Sequence, residues 1–454
     1  IKLMFDTDSK TAGVYIVENI DGVLKIGEKV GTYTHGMFTV DDNFVLSNEK
    51  QKAFVTDYKH TNLAITYKMR LGELNKNALL KAKSTQSIRG LDKISKADIE
   101  AAYTVPSFGE IASQRAQFSI SRTRGTANKK SDYRIIGMGG STLGIQAIYD
   151  FLKKKIKKNF IFVDNLNAFE NKKAKKNLNN LIISKSGNTT ETIVNANILI
   201  KKRDKNLFIT EKKKSYLSLF AQKLKAEVVD HNNYIGGRYS VLSEVGMLPA
   251  ELMGLNYKNF RQLNNLVKNK HFMKALVSNV EATIYFLKAK KFNSIIINYD
   301  EQSTNLFNWY QQLVAESLGK KKKGILPIIS VMPKDNHSVM QLYLDGFKNN
   351  FFTFFYSHEK DSSKINNERV LLGQKFLKNK DINQIMYAQK KATEFVFKMK
   401  NIPFRSFEIK KRDEKTLGEL FCFFILETIL IGKSLKVNPF DQPAVELIKK
   451  ETKK

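Results

Sequence analysis

The chain holds a single cysteine, Cys422, so it can form neither an intrachain disulfide nor a thiolate metal cluster. That residue sits in the apolar run Leu420 to Leu426, where a buried, unreactive thiol is expected, and a reducing cytoplasm suits such a chain. Long apolar runs are also absent. The longest stretch, Phe421 to Ile431, is interrupted by Glu427 and falls short of the roughly 20 residues that cross a bilayer. No signal-peptide pattern opens the chain, so neither secretion nor a membrane partner is expected. Arginine is scarce, at about twelve of the 76 basic residues. The balance of 76 basic against 44 acidic residues, a net charge of +32, invites a nucleic-acid reading. A reader of phosphates and bases would favour the forked guanidinium, however, and the lysines are spread along the whole length. They include the runs Lys153 to Lys158 and Lys320 to Lys323, so solvated faces are expected and no specific nucleic-acid partner. Metal-ligand spacing is missing too. His35, His60, His231, His271, His337 and His358 form no zinc pattern, and Asp6-Thr7-Asp8 fails as a calcium loop because Thr11 and Val17 stand at its sixth and twelfth positions.

What is present is ordinary globular composition, 42% hydrophobic and 26% charged over 454 residues, enough for about two to four domains. From residue 131 onward, short apolar strands alternate with helical spacing. Arg134–Gly137, Phe160–Val163, Leu181–Ser184, Leu207–Thr210 and Ala226–Val229 read as strands, with helices over Ser141–Leu152, Thr190–Lys202 and Tyr216–Lys225. A second series follows helical sequence at Asn256–Phe292. Its strands are Ser294–Tyr299, Ile325–Met332, Phe351–Tyr356 and Pro403–Ile409; its helices are Asn305–Leu318, one beginning at Val339–Leu344, Asp381–Met399 and Thr416–Ile431. Near-continuous apolar strands predict parallel sheets covered on both faces. Residues 1–110 show weaker periodicity.

Several strand ends carry chemistry. Gly137-Met138-Gly139-Gly140-Ser141 opens a helix, where backbone amides can hold a phosphate, although a glycine turn needed only for packing is the alternative. It matches neither the dinucleotide fingerprint nor a P-loop. Ser184-Lys185-Ser186-Gly187-Asn188-Thr189 supplies hydroxyls and one ammonium before the next helix, and the competing reading is an ordinary N-cap at Thr189 or Thr190. Two such turns on one parallel sheet favour a phosphate at its carboxyl edge. Gly236-Gly237-Arg238-Tyr239-Ser240 places a permanent cation after two glycines. Gln312 and Glu316 are four apart in a helix and share a face, with Glu316 near the helix end, where a carboxylate can shuttle protons. His337 stands at a loop-to-helix junction.

Taken in order, these segments resemble the glucose-6-phosphate isomerase family over roughly residues 130–450. The matching elements are Gly139-Gly140-Ser141, Ser184-Lys185-Ser186 with Thr189, Gly236 to Ser240, Gln312 through Glu316-Ser317-Leu318-Gly319-Lys320, His337, and Phe440-Asp441-Gln442 with Lys449. The turn Ser186-Gly187-Asn188 points to the short bacterial type. Pro443-Ala444, Ile448 and Leu318 replace the family's usual Trp-Gly, Gly and Asn.

The resemblance implies an α/β fold of two tandem sugar isomerase (SIS) domains, each a mainly parallel sheet with helices on both faces. The expected division is 1–110 as an N-terminal segment packing on the larger domain, 111–265 and 266–432 as the two domains, and 433–454 as a tail. It implies interconversion of glucose 6-phosphate and fructose 6-phosphate in glycolysis and gluconeogenesis, without cofactor or metal. Ser184, Lys185, Ser186 and Thr189 would hold phosphate, Gly140 and Ser141 the sugar end, and Gln312 and Gln442 its hydroxyls. His337 and Lys449 would assist ring opening, Glu316 would move the proton, and Arg238 would stabilise the enediolate. His337 would cross from the neighbouring subunit of a homodimer in the cytoplasm. Two other readings remain beside this one: an isomerase that also accepts mannose 6-phosphate, and a non-catalytic sugar-phosphate sensor, for which the base would be superfluous.

Overall fold

A computed structural model describes four N-terminal strands, β1 (Thr11–Ile20), β2 (Val23–Thr34), β3 (Met37–Val40) and β4 (Leu63–Lys68), by their backbone pairing. It describes residues 132–454 apart from 168–177, 202–203, 360–361, 446–447, 449–450 and 453–454. The remainder of residues 1–110 lies outside the described residues.

The first parallel sheet consists of β5 (Tyr133–Gly137), β6 (Phe160–Val163), β7 (Asn179–Ile183), β8 (Lys205–Glu211) and β9 (Glu227–His231), in the order β6-β5-β7-β8-β9. Every neighbouring pair is parallel. Helices α1 (Leu143–Phe151), α2 (Thr190–Leu199), α3 (Tyr216–Leu224) and α4 (Glu244–Leu252) connect or follow its strands. Ile135, Leu181, Ile183 and Ile209 pack on one side with α1 and α4, while Ile136, Ile182 and Phe208 pack on the other with α2 and α3. Burial on both faces is why the strands read as unbroken apolar runs.

After α5 (Leu263–Val267) and α6 (Lys270–Lys288), the chain builds a second sheet from β10 (Asn293–Asn298), β11 (Leu326–Val331), β12 (Asn350–Ser357) and β13 (Phe404–Ile409). Its order is β11-β10-β12-β13-β4, parallel except for β4, which runs antiparallel to β13. The helices here are α7 (Thr304–Leu318), α8 (Met340–Asp345), α9 (Ile382–Met399) and α10 (Glu414–Ser434). Two covered parallel sheets are the architecture that the apolar strand runs predict.

Helix α10 is buried from Thr416 to Gly432, and its Leu, Ile and Phe side chains join residues of both sheets in one core. Each such side chain contributes about 1.5–3 kcal/mol over an exposed one. Glu427, which breaks the apolar run, is received by Arg405 of β13, whose Nη2 donates to it at 3.2 Å. Among the described residues no helix is long and apolar enough to cross a membrane. Cys422 is fully buried within α10, and burial pushes its thiol up to about 12.

Candidate active site

At the carboxyl end of β5, the chain turns through Gly139–Ser141 into α1. A Cβ on Gly140 would lie 2.3 Å from the carbonyl carbon of Gly237, so the turn before α1 and the turn bearing Arg238 touch through bare backbone. The Ser240 hydroxyl donates to the Gly237 carbonyl at 2.7 Å, and Ser141 stays partly exposed beside this contact. The packing use of these glycines is therefore real, and it fixes the turn before α1 against the turn bearing Arg238.

At the end of β7, Ser184 is buried and its hydroxyl lies 2.9 Å from that of Thr189. Thr189 occupies the N-cap of α2, yet its side chain makes no capping bond. Gly187 has a φ of +66°, and a Cβ there would come within 2.1 Å of the Ser215 hydroxyl, so the turn demands glycine. Ser186 is exposed and accepts from the Asn188 amide at 3.2 Å. Lys185 Nζ donates to the Asn233 carbonyl at 2.9 Å and lies 3.7 Å from the Glu211 carboxylate. Burial pulls the Lys185 ammonium down, and Glu211 opposes that shift. Together the turn holds hydroxyls, an ammonium and uncapped helix amides, a donor set suited to a phosphate.

Arg238 is only 1% exposed and uses its whole fork. Nε donates to the Ser317 hydroxyl at 2.8 Å, and Nη1 donates to Glu316 Oε2 at 3.1 Å and to Gln442 Oε1. Nη2 donates to the carbonyls of Pro439 at 2.6 Å and Asp441 at 2.9 Å. The backbone carbonyl of Arg238 accepts from the Trp309 indole at 3.2 Å, anchoring the guanidinium's own stem. Glu316 sits on α7 with its side chain 32% exposed. Its Oε1 accepts from Gln312 Nε2 at 2.9 Å, so both carboxylate oxygens are held. The Gln312 carbonyl oxygen is buried and accepts no bond among the described residues, leaving an acceptor free beside the carboxylate.

Arg238, Gln312, Glu316 and Gln442 are thus brought together, next to the Gly140–Ser141 turn. His337 is not among them: it is exposed at the end of a short helical turn, Lys334–His337, that follows β11. Lys449 lies outside the described residues. A cavity of about 320 Å³, lined by Asn179, Asn180, Asp204 and Lys225 among others, opens at the amino ends of the first sheet's strands. That is the edge opposite the turns after β5 and β7, and its lining includes none of their residues.

The phosphoglucose isomerase model matches residues 117–454. The chain belongs to that family and is an isomerase. It is similar to the glucose-6-phosphate isomerase of Methanocaldococcus jannaschii, 33% identical over 341 residues that cover 70% of this chain and 82% of the relative. The enzyme of the same name from Mycoplasmopsis pulmonis is 34% identical, over 69% of this chain and 80% of its own. Two solved structures share the fold. A glucose-6-phosphate isomerase from Chlamydia trachomatis superposes with a TM-score of 0.64 at 18% identity, covering 75% of this chain and 72% of that one. A hypothetical protein from Thermus thermophilus gives 0.66 at 22% identity, covering 84% and 94%.

Around Arg238 and Glu316 of this phosphoglucose isomerase family member, four groups given no role by the sequence take structural ones. Ser317 accepts from Arg238 and meets the Tyr239 hydroxyl at 2.8 Å, Tyr239 donates to the Pro439 carbonyl at 3.0 Å, and Lys320 pairs with Asp441 at 3.1 Å. The available signal was their adjacency to Arg238, Glu316 and Gln442.

Proposed function

We propose that this isomerase interconverts glucose 6-phosphate and fructose 6-phosphate, with Glu316 as the proton carrier. The carrying observation is a buried Arg238 that bonds both Glu316 and Gln442 beside two ligand turns. Ser184, Lys185, Ser186 and Thr189 hold the phosphate, Gly140 and Ser141 face the sugar end, and Gln312 and Gln442 take its hydroxyls. The unused Gln312 acceptor supports that assignment. His337 and Lys449 move protons during ring opening, which frees the aldehyde.

Glu316 then removes the proton from carbon 2. The electron pair forms the carbon 1–carbon 2 double bond while the carbonyl oxygen gains negative charge, giving a cis-enediol after proton transfer. Arg238 stabilises that charge, as a fixed cation in a site of low exposure does well. Return of the proton to carbon 1, with loss of the hydroxyl proton at carbon 2, yields the ketose. The carrier is a side chain throughout, so the step requires no cofactor or metal.

The exposed His337 suits a residue presented to a neighbouring copy, and the active form is a homodimer in the cytoplasm that shares its sites. The working domains are 111–265 and 266–432, with 1–110 packing on the larger one and 433–454 carrying Lys449. A coupled assay tests the reaction: purified protein receives fructose 6-phosphate, and glucose 6-phosphate is oxidised by an added dehydrogenase. Steady product formation is expected. Binding of fructose 6-phosphate without turnover would instead indicate a sensor, and a mannose 6-phosphate rate within about tenfold of the glucose rate would broaden the substrate range.

A further inference from the structure

Lys320 differs from the lysines around it. Lys321, Lys322 and Lys323 are exposed, whereas the Lys320 side chain is 10% exposed and turns back into the site. An ammonium has three donors, and here each has an acceptor. Nζ reaches the Ser317 carbonyl at 3.0 Å, the Asn438 carbonyl at 2.5 Å and Asp441 Oδ1 at 3.1 Å. The first acceptor belongs to the last turn of α7, the helix that carries Glu316, where a cation also complements the helix dipole. The other two bracket the turn that presents Gln442. Asn438 Nδ2 closes this turn on Asp441 Oδ2 at 3.0 Å.

The same turn is where Arg238 ends. Arg238 Nη2 takes the Pro439 and Asp441 carbonyls, Tyr239 also takes Pro439, and Lys320 takes Asn438. Three side chains thus hold successive parts of a segment that contributes one contact, Gln442, to the reacting end. Like Tyr239, which spans Ser317 and Pro439, Lys320 ties that segment to the end of the Glu316 helix without itself contacting Glu316 or Gln442, and it does so with a charge. Loss of its charge leaves the Asp441 carboxylate without its cation and the turn free to drift, and a displacement of about 1 Å at such a site can cost on the order of 10²-fold in rate.

We infer that Lys320 is a positioning residue for the isomerisation, locking the 438–442 turn to the end of α7 through Asp441 and the Ser317 and Asn438 carbonyls. The inference rests on the assignment of Glu316, Arg238 and Gln442 proposed above. It separates two effects. The phosphate turn lies at the end of β7 and shares no residue with the clamp, so phosphate affinity stays constant while turnover falls.

The test compares wild type, Lys320→Met, Asp441→Asn, the double variant and Lys320→Cys, each for kcat, for KM with fructose 6-phosphate and for inhibition by inorganic phosphate. Lys320→Met is expected to lower kcat about 10- to 100-fold, with the phosphate inhibition constant within about twofold of wild type. The double variant is expected to fall no further than Lys320→Met, because both changes break one clamp. Lys320→Cys offers a rescue: alkylation with bromoethylamine rebuilds a lysine-like ammonium, and the one native thiol, Cys422, is buried and unreactive. A preparation whose mass shows one added aminoethyl group should regain most of the lost kcat. Unchanged kcat in Lys320→Met, or a loss shared equally by kcat and phosphate inhibition, would overturn the inference. Inactive wild type would instead remove the reading on which it rests.

Discussion

The two sheets share the order of their first four parallel strands but use their carboxyl ends in opposite ways. At the first sheet, the loops after β5 and β7 carry glycines and hydroxyls, and among the described residues the side chains of Ser184, Ser186 and Thr189 bond to one another or to nearby backbone. At the second, the equivalent edge is filled with charges that satisfy each other. Arg412, following β13, donates to Asp300 after β10 at 2.8 Å and to Glu359 after β12, while lying 4.6 Å from the Phe151 ring of α1. Lys390 of α9 is fully buried and donates to Glu394 and Glu408 at 2.6 Å each. One edge leaves its hydroxyls without charged partners, and the other pairs its charges with one another and reaches α1 through Arg412. A doubly covered parallel sheet therefore supplies a place for a site, and the loop residues decide whether that place binds or braces.

The sharpest way to break this contrast is at Glu316. Glu316→Gln keeps the hydrogen-bonding shape but removes the base, so kcat should fall at least about 10³-fold with KM little changed in the coupled assay. A normal rate would move the chemistry elsewhere. The matching change at the braced edge is Arg412→Met, which leaves Asp300 and Glu359 without their buried cation. Thermal or urea unfolding should show a loss of about 3–5 kcal/mol, while kcat and KM of the folded fraction stay near wild type. A selective rise in KM would show that the second edge binds substrate after all.

Lys185→Ala sharpens the binding side. A phosphate contact made in both ground and transition states should raise KM about tenfold with kcat nearly constant, and an unchanged KM would argue against that turn. The smallest effect is in pH. Burial of Glu359 favours its neutral form, but Arg412 and Lys154 outweigh it, and at Glu408 His358, Lys390 and Lys391 do the same, so both carboxyls sit below their ordinary 4.5. Depressed carboxyls stabilise the fold above that value and lose their contribution as pH falls through the folded one. The unfolding midpoint should be level between about pH 7 and 5 and decline below 4.5, less steeply in Arg412→Met. A midpoint that rises on acidification would contradict the bracing role.

Much of the fold was legible because burial on both faces writes strands as apolar runs. The predicted strand Phe160–Val163 matches β6 residue for residue, and helix Asn305–Leu318 differs from α7 by one residue at its start. Helix α10 runs on to Ser434, past the predicted end at Ile431; Gly432 is buried and the Ser434 hydroxyl donates back to the Leu430 carbonyl at 2.9 Å. The Gln312 and Glu316 pairing follows from helical spacing alone, and the structure bonds them. The convergence on Arg238 could not be read the same way. Its partners Ser317, Pro439, Asp441 and Gln442 lie 79 to 204 positions away, and periodicity carries no information at that range. Thr189 likewise stands at the N-cap of α2 as the sequence allows, but its side chain makes no capping bond and meets Ser184 instead, a contact that local propensity does not reveal. Lysine abundance hid Lys320, since nothing in a run of four lysines marks the one that turns inward.

The central claim is that Glu316 carries the substrate proton, and deuterium exchange tests it most directly. Wild-type protein turning over fructose 6-phosphate in deuterium oxide is predicted to incorporate deuterium at carbon 1, seen as loss of the corresponding proton signal in the NMR spectrum. Glu316→Gln is predicted to bind the sugar phosphate and show no incorporation. Deuterium entering at the wild-type rate in that variant would contradict the account, because another group would then be moving the proton.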